Sequence, residues 1–280
     1  MISDKTVAFL AAYVYGVRFD PTPFIEVCRK HNLDFIEDAA EVFEGTKTFV
    51  GHPEADLTFF SFGLIKVQTC VNGSVTVVRN DQSLYKKMAD INATYPVQTK
   101  QLFLQKTMKA LAGKLILQTR LGYRLCYMAF NKFAKDREVA TINMARGFTA
   151  QDDFLGKFRI QPGACMLHFL HERLSAFDHE KFRRDMEQLH KIQDILLSAG
   201  FFVPGSKIKN RNFWLFPVMI ENKELFKEYM LLKGVVPFSN SSQMSSVKPH
   251  SSKYKPAPHA EWYKDRLLGL PLHPAVPKEV

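Results

Sequence analysis

The chain has 280 residues, of which 46% are hydrophobic and 24% are charged, so wholesale disorder is excluded. Its net charge of +10 suits nucleic acid, anionic lipid or a phosphorylated small molecule, although a basic surface without such a partner is the simpler interpretation. Four widely spaced cysteines, with no histidine at zinc-ligand spacing, predict a reduced, cytoplasmic setting and no metal site. The apolar stretch 7–17 is too short to span a bilayer.

Residues 1–80 alternate between apolar strands and a helix. A strand is predicted over 6–15, and a helix then opens at Asp20-Pro-Thr-Pro and runs to about His31. Further strands are predicted over 33–36, 56–60 and 74–78. The first strand shows no polar alternation, which is typical of a parallel sheet covered on both faces. The order predicts an α/β fold with a βαβ unit.

Residues 81–146 are helical in pattern and form a basic insert. The span 106–137 holds eight lysines and arginines but a single acid, Asp136, and apolar residues lie between the bases. One interpretation is docking of 106–137 onto an anionic membrane surface. The other is a helical hairpin that packs on its own domain or on a second subunit.

The rest of the chain predicts a small α+β domain. Its elements are a helix after a turn within 154–174, a helix over 178–199 ending at Gly200, a strand over 213–220, a helix over 222–233, a strand over 235–238 and a loop over 239–258. The predicted domains are therefore 1–178, with the helical insert at about 90–150, and 179–280.

Two residues suggest cofactor chemistry. Lys66 follows an apolar strand, and Asp38 ends the preceding strand. A pyridoxal phosphate (PLP) enzyme needs a lysine amine for the Schiff base and a carboxylate that keeps a proton on the pyridine nitrogen. A surface lysine after a strand and a helix-capping aspartate are the structural alternatives.

The motifs around these two residues resemble the DegT/DnrJ/EryC1/StrS aminotransferases. The matching segments are Ile36-Glu-Asp-Ala-Ala-Glu41, Gly45, Gly51, Ala55-Asp56, Phe60-Ser-Phe-Gly-Leu-Ile-Lys66 and Asn72-Gly73. Ser61 lies 23 residues and Lys66 lies 28 residues after Asp38, which matches the family's spacing. Weaker likeness continues at Gly156-Lys-Phe-Arg159, Phe213-Trp-Leu-Phe-Pro-Val and Leu270-Pro-Leu-His-Pro, so the resemblance covers most of the chain except about 90–150.

The resemblance implies a PLP-dependent, fold-type-I (aspartate aminotransferase-like) homodimer that aminates nucleotide-linked keto-sugars for polysaccharide biosynthesis, with glutamate as amino donor. Lys66 would form the internal aldimine, Asp38 would pair with the pyridinium, and Ser61 would bind the phosphate. The family's sugar dehydratases carry histidine in place of the lysine, so Lys66 implies transamination. Lys157 and Arg159 would reach the cofactor of the partner subunit.

Several features depart from the family's pattern. Glu41 stands where the family has Gln or His near the cofactor ring, and Lys157 stands where it has Asn. The family's phosphate-binding loop has no counterpart in the chain, so an N-terminally truncated enzyme is expected. The alternative is a catalytically inactive homologue that acts as an interaction or membrane-surface protein. No motif supports nucleic-acid binding.

Overall fold

The computed structural model describes residues 2–79, 81–119, 121, 122, 125, 128, 154–233, 235, 237, 238 and 258–270. The chain divides into two units. The first consists of Met1–Val14 and Phe19–His179, and the second consists of Tyr15–Arg18 and Glu180–Val280.

The first unit is built on a mixed sheet. Its elements are β1 (Ala8–Ala12), α1 (Thr22–Lys30), β2 (Asp34–Asp38), β3 (Leu57–Ser61), β4 (Ser74–Val78), α2 (Gln82–Ala93), α3 (Lys100–Gln118), α4 (Phe154–Phe158) and α5 (Ala164–Ser175). The strand order is β1-β2-β3-β4, with β1, β2 and β3 parallel and β4 antiparallel to β3. Helix α1 joins β1 to β2, as a parallel crossover requires. The predicted α/β class is confirmed.

Strand β1 is shorter and more exposed than the sequence predicts. The strand expected over 6–15 is confined to Ala8–Ala12, and Val7 and Leu10 are 76% and 59% exposed. The chain leaves the sheet through a 3₁₀ turn at Val14–Gly16, where Tyr15 has a φ of 56°. Phe9 and Leu10, which point to opposite faces of β1, are 40% and 59% exposed, so the expectation that both faces are covered is wrong within the described residues.

Aromatic rings fix the segment that follows β2 against the end of β3. The ring of Phe43 is buried and makes edge-on contacts with Phe60, Phe62 and Phe177 at centroid distances of 5.9, 5.0 and 5.4 Å. Such edge-to-face pairs stabilise beyond their buried area by about 0.5–1.5 kcal/mol each. The turn after β2 is thereby held at a defined position relative to β3.

Strand β2 also carries a buried carboxylate. Glu37 is fully buried and accepts hydrogen bonds from the Tyr13 hydroxyl (2.5 Å), the Thr58 hydroxyl (2.6 Å) and the His52 backbone N–H (2.8 Å). Gly51 has a φ of +102°, and a Cβ there would lie 2.7 Å from Glu37 Oε2. The loop before β3 therefore needs glycine at this position, both for its backbone conformation and for its close approach to Glu37.

The first two helices of the predicted basic insert are present. Asp81 caps α2 by accepting the Leu84 N–H at 2.8 Å, and Thr99 caps α3 by accepting the Leu102 N–H at 3.2 Å. Helix α3 packs on α5, where the rings of Phe103 and Phe169 are 6.2 Å apart. Helical structure is confirmed for these two segments, whereas most of 120–153 lies outside the described residues.

The second unit contains α6 (His179–Ser198), β5 (Phe216–Met219), α7 (Lys223–Leu232), α8 (Pro258–Arg266) and β6 (Leu267–Leu270). Helix α6 is followed, as predicted, by Gly200 with a φ of +85°. The strand predicted over 235–238 is wrong, because Phe238 makes only an isolated bridge to Gly269 and β6 pairs antiparallel with β5 instead. Pro237 has no N–H to donate, which disfavours a strand there.

The described part of the chain lacks two further features. No helix there is both long and apolar enough to cross a membrane. No cluster of three or more histidine, cysteine, aspartate or glutamate side chains in those residues could hold a metal ion.

Candidate active site

The predicted cofactor-binding residues lie at the carboxyl edge of β2 and β3. Asp38 ends β2 and stands in register with Phe59, and Ser61 ends β3 opposite Ser74 of β4. Because β2 and β3 are parallel, their last residues lie at the same edge of the sheet, which is where open α/β sheets bind ligands. The loop after β3 carries Lys66.

Lys66 is a mostly buried lysine of this edge. Its Nζ lies 3.7 Å from Glu41 Oε1, and each of these two side chains is 13% exposed. Burial lowers the pKa of the Lys66 ammonium below its usual value, and the carboxylates of Glu41 and Asp38 partly oppose this effect. The net lowering favours the neutral amine, which is the nucleophilic form of a lysine.

Asp38 is held in place by hydrogen bonds from two backbone N–H groups. Its Oδ1 accepts the Ala40 N–H at 3.0 Å, and its carbonyl oxygen accepts the Tyr13 N–H at 3.1 Å. Its carboxylate also acts on the pKa of Lys66, after that of Glu41. The structure therefore brings Asp38, Glu41 and Lys66 into one electrostatic group at the sheet edge.

The loop that carries Lys66 is closed at its base by backbone hydrogen bonds. The Phe62 N–H donates to the Gly73 carbonyl and the Cys70 N–H donates to the Phe62 carbonyl, each at 2.9 Å. Ser61 lies beside the start of this loop, since a Cβ added to Gly63 would stand 3.8 Å from Ser61 Oγ. The hydroxyl of Ser61 and the amine of Lys66 are thus presented by one constrained segment.

The sequence predicted a helix in the region of α5 but not its contact with the far side of this loop. Arg173 of α5 donates to the Thr69 carbonyl at 3.2 Å and to Gln68 Oε1 at 3.3 Å. The Gln68 side-chain amide donates back to the Arg173 carbonyl at 2.5 Å. No local sequence signal could have found this pairing, because the partners are more than a hundred residues apart.

The two residues predicted to reach a partner subunit lie on or next to α4. Lys157 is within that short helix, and its side chain lies outside the described part of the structure. Arg159 follows the helix with an exposed side chain, and its N–H donates to the Leu155 carbonyl at 3.0 Å. Their roles toward a second subunit stay predictions.

The donor set at the sheet edge fits PLP. A lysine with a lowered pKa can attack the aldehyde of PLP. A carboxylate at the end of a strand can accept a hydrogen bond from the protonated pyridine nitrogen, and a serine hydroxyl can donate one to the phosphate. Glu41 fits PLP less well, because its carboxylate lies beside the Lys66 amine and adds negative charge there.

Comparisons with known proteins agree with this reading. Residues 1–123 match the model of the DegT/DnrJ/EryC1/StrS aminotransferase family, which confirms the resemblance for that part of the chain. A GDP-perosamine synthase of Caulobacter vibrioides is 37% identical over 92 residues, which are 31% of this chain and 24% of that protein. The chain thus matches about a quarter of the length of this curated relative.

Solved structures show the same fold at low identity. The aminotransferase PseC of Helicobacter pylori, which is involved in the biosynthesis of pseudoaminic acid, aligns with a TM-score of 0.59 and 16% identity over 100% of this chain and 65% of that one. The PLP form of the sugar aminotransferase Spr1654 of Streptococcus pneumoniae aligns with a TM-score of 0.60 and 13% identity, over 99% of this chain and 66% of that one. The chain therefore has the same fold as these two proteins.

Proposed function

We propose, on the premise that residues 1–123 belong to the DegT/DnrJ/EryC1/StrS aminotransferase family, that the protein transfers an amino group to a nucleotide-linked keto-sugar with PLP as cofactor. The observation that carries the proposal is Lys66, a mostly buried lysine whose ammonium pKa is lowered at the sheet edge that also presents Asp38. A lysine that served only solubility would be expected to be exposed, because lysine side chains are mostly found at the surface.

The chain's own residues divide the chemistry between them. PLP, when bound, supplies an aldehyde for covalent attachment and a ring that takes up electrons. Lys66 would hold the cofactor through its Nζ and, once released from it, would move a proton as general base. Asp38 would keep a proton on the pyridine nitrogen through a charge-assisted hydrogen bond, and Ser61 would donate to the phosphate.

Glu41 would act on Lys66 rather than as a neutral hydrogen-bond partner of the ring. At 3.7 Å its carboxylate stabilises the protonated amine, so it orients the lysine and can accept the proton that Nζ must lose. This role explains how a carboxylate is accommodated where the family carries Gln or His.

The substrate class rests on the family and on charge. The name of the curated relative contains a nucleotide-linked amino sugar, and a net charge of +10 suits a diphosphate-linked substrate. Glutamate is the proposed amino donor. A homodimer would bring Lys157 and Arg159 of one copy toward the site of the other, as the resemblance implies.

Titration of the purified chain with PLP tests the function. We expect a visible absorption band of covalently attached cofactor in the wild type and in Lys47→Ala, which removes an exposed lysine of the same unit. The band should be missing in Lys66→Ala. A wild type without this band at saturating PLP would contradict the enzyme proposal and favour an interaction protein of the same fold.

The pH dependence of attachment tests the role of Glu41. Glu41→Gln removes a charge that raises the pKa of Lys66, so this pKa should fall further and the midpoint of attachment should move to lower pH. Glu26→Gln, an exposed change on α1, should leave the midpoint in place. An unchanged or raised midpoint in Glu41→Gln would rule out the proposed ion pair.

A further inference from the structure

Helix α3 presents an apolar stripe to solvent. Its members, spaced four, three and four residues apart, are 46–60% exposed: Leu104, Met108, Leu111 and Leu115. At 1.5 Å per residue the stripe is roughly 16 Å long. Three more exposed apolar side chains, again four and three residues apart, follow at Leu121, Leu125 and Met128.

The stripe is not the side by which α3 is held in the fold. Phe103, on another side of the helix, is half-buried and contacts Phe169 of α5. A helix that is apolar on two sides is normally covered on both. Among the described residues, none covers the exposed side of α3.

The charges around the stripe indicate what kind of partner fits. Helix α3 contains no acidic residue, and on a helical projection the exposed Lys100 and Lys114 flank one side of the stripe, whereas the exposed Lys109 lies farther round the helix on the other side. Lys100 lies at the helix N-terminus, where a cation opposes the helix dipole. Lys100 thus does not stabilise α3 through the helix dipole, and its exposed ammonium can bind an anionic partner.

We propose that the apolar stripe of α3 is a docking surface for an anionic lipid bilayer. The four apolar side chains would enter the boundary between headgroups and acyl chains, and the three lysines would bind acidic headgroups. A second copy of the chain fits less well, because two such stripes face to face would bring lysines together with no acid on either helix to pair with them. This inference is independent of PLP binding.

Vesicle co-sedimentation of the full chain tests the proposal. We expect binding to phosphatidylglycerol-containing vesicles, loss of binding at high salt, and at least about tenfold weaker binding to phosphatidylcholine alone. Leu104→Gln with Leu111→Gln should weaken binding about tenfold or more. The triple variant Lys100→Gln, Lys109→Gln and Lys114→Gln should do the same.

The matched control is Ile192→Gln with Ile195→Gln, which replaces two exposed apolar side chains of α6 and should leave vesicle binding unchanged. Far-ultraviolet circular dichroism and PLP attachment should be unaltered in all these variants, which separates a docking defect from misfolding. Equal recovery with neutral and anionic vesicles, or none with either, would overturn the proposal. So would self-association in sedimentation velocity that the stripe variant abolishes while vesicles are not bound.

Discussion

Lys66→Ala is expected to lower the rate of amino transfer from L-glutamate by at least about 10²–10⁴-fold, the usual contribution of a positioned general base alone. The variant loses the amine that is mostly buried beside Glu41, and no other side chain of that electrostatic group can carry a proton on nitrogen. The measurement is formation of 2-oxoglutarate by the PLP-loaded chain in the presence of L-glutamate.

Lys66→Arg is the matched variant for this rate. Arginine keeps a cation next to Glu41 but cannot lose its proton in a protein, so it preserves the ion pair and removes the chemistry. It should be as inactive as Lys66→Ala while unfolding like the wild type. Residual amino transfer near the wild-type rate in either variant would assign the catalytic amine to another residue.

Glu37→Ala is expected to destabilise the first unit by about 3 kcal/mol or more, because two buried donors and one half-buried donor each lose an acceptor at about 1–3 kcal/mol apiece. The donors are the hydroxyls of Tyr13 and Thr58 and the backbone N–H of His52. Urea denaturation, followed by a probe of the first unit, measures the loss.

Two other substitutions sharpen this stability test. Glu37→Gln keeps the shape and one acceptor oxygen, so its loss should be smaller than that of Glu37→Ala. Asp34→Ala, an exposed change on the same strand, should stay within about 0.5 kcal/mol of the wild type. A Glu37→Ala chain as stable as Asp34→Ala would show that the buried network contributes little.

The adjacent acids at the end of β2 illustrate what the sequence could and could not reveal. Side chains alternate across a strand, so Glu37 enters the core while Asp38 faces the site. The motif and its spacing identified Asp38 and Lys66 as candidates, and the structure places both at one sheet edge. The burial of Glu37 was not predicted, because its partners come from the residue after β1, from β3 and from the loop before β3.

Long-range contacts account for the other differences. The α/β class and the bounds of β4 could be predicted because they follow from local apolar patterns. The exposure of β1 depends on its edge position in the sheet, and the pairing of β5 with β6 depends on a segment far along the chain. The hydrogen bond from Arg173 to the loop that carries Lys66 likewise depends on the position at which α5 packs.

The most direct test of the central claim is to map where PLP becomes attached. The chain would be loaded with PLP, reduced with borohydride and digested, and the modified peptide identified by mass spectrometry. The account predicts a single stable modification at Lys66. Modification spread over exposed lysines such as Lys47, or confined to a lysine other than Lys66, would contradict it.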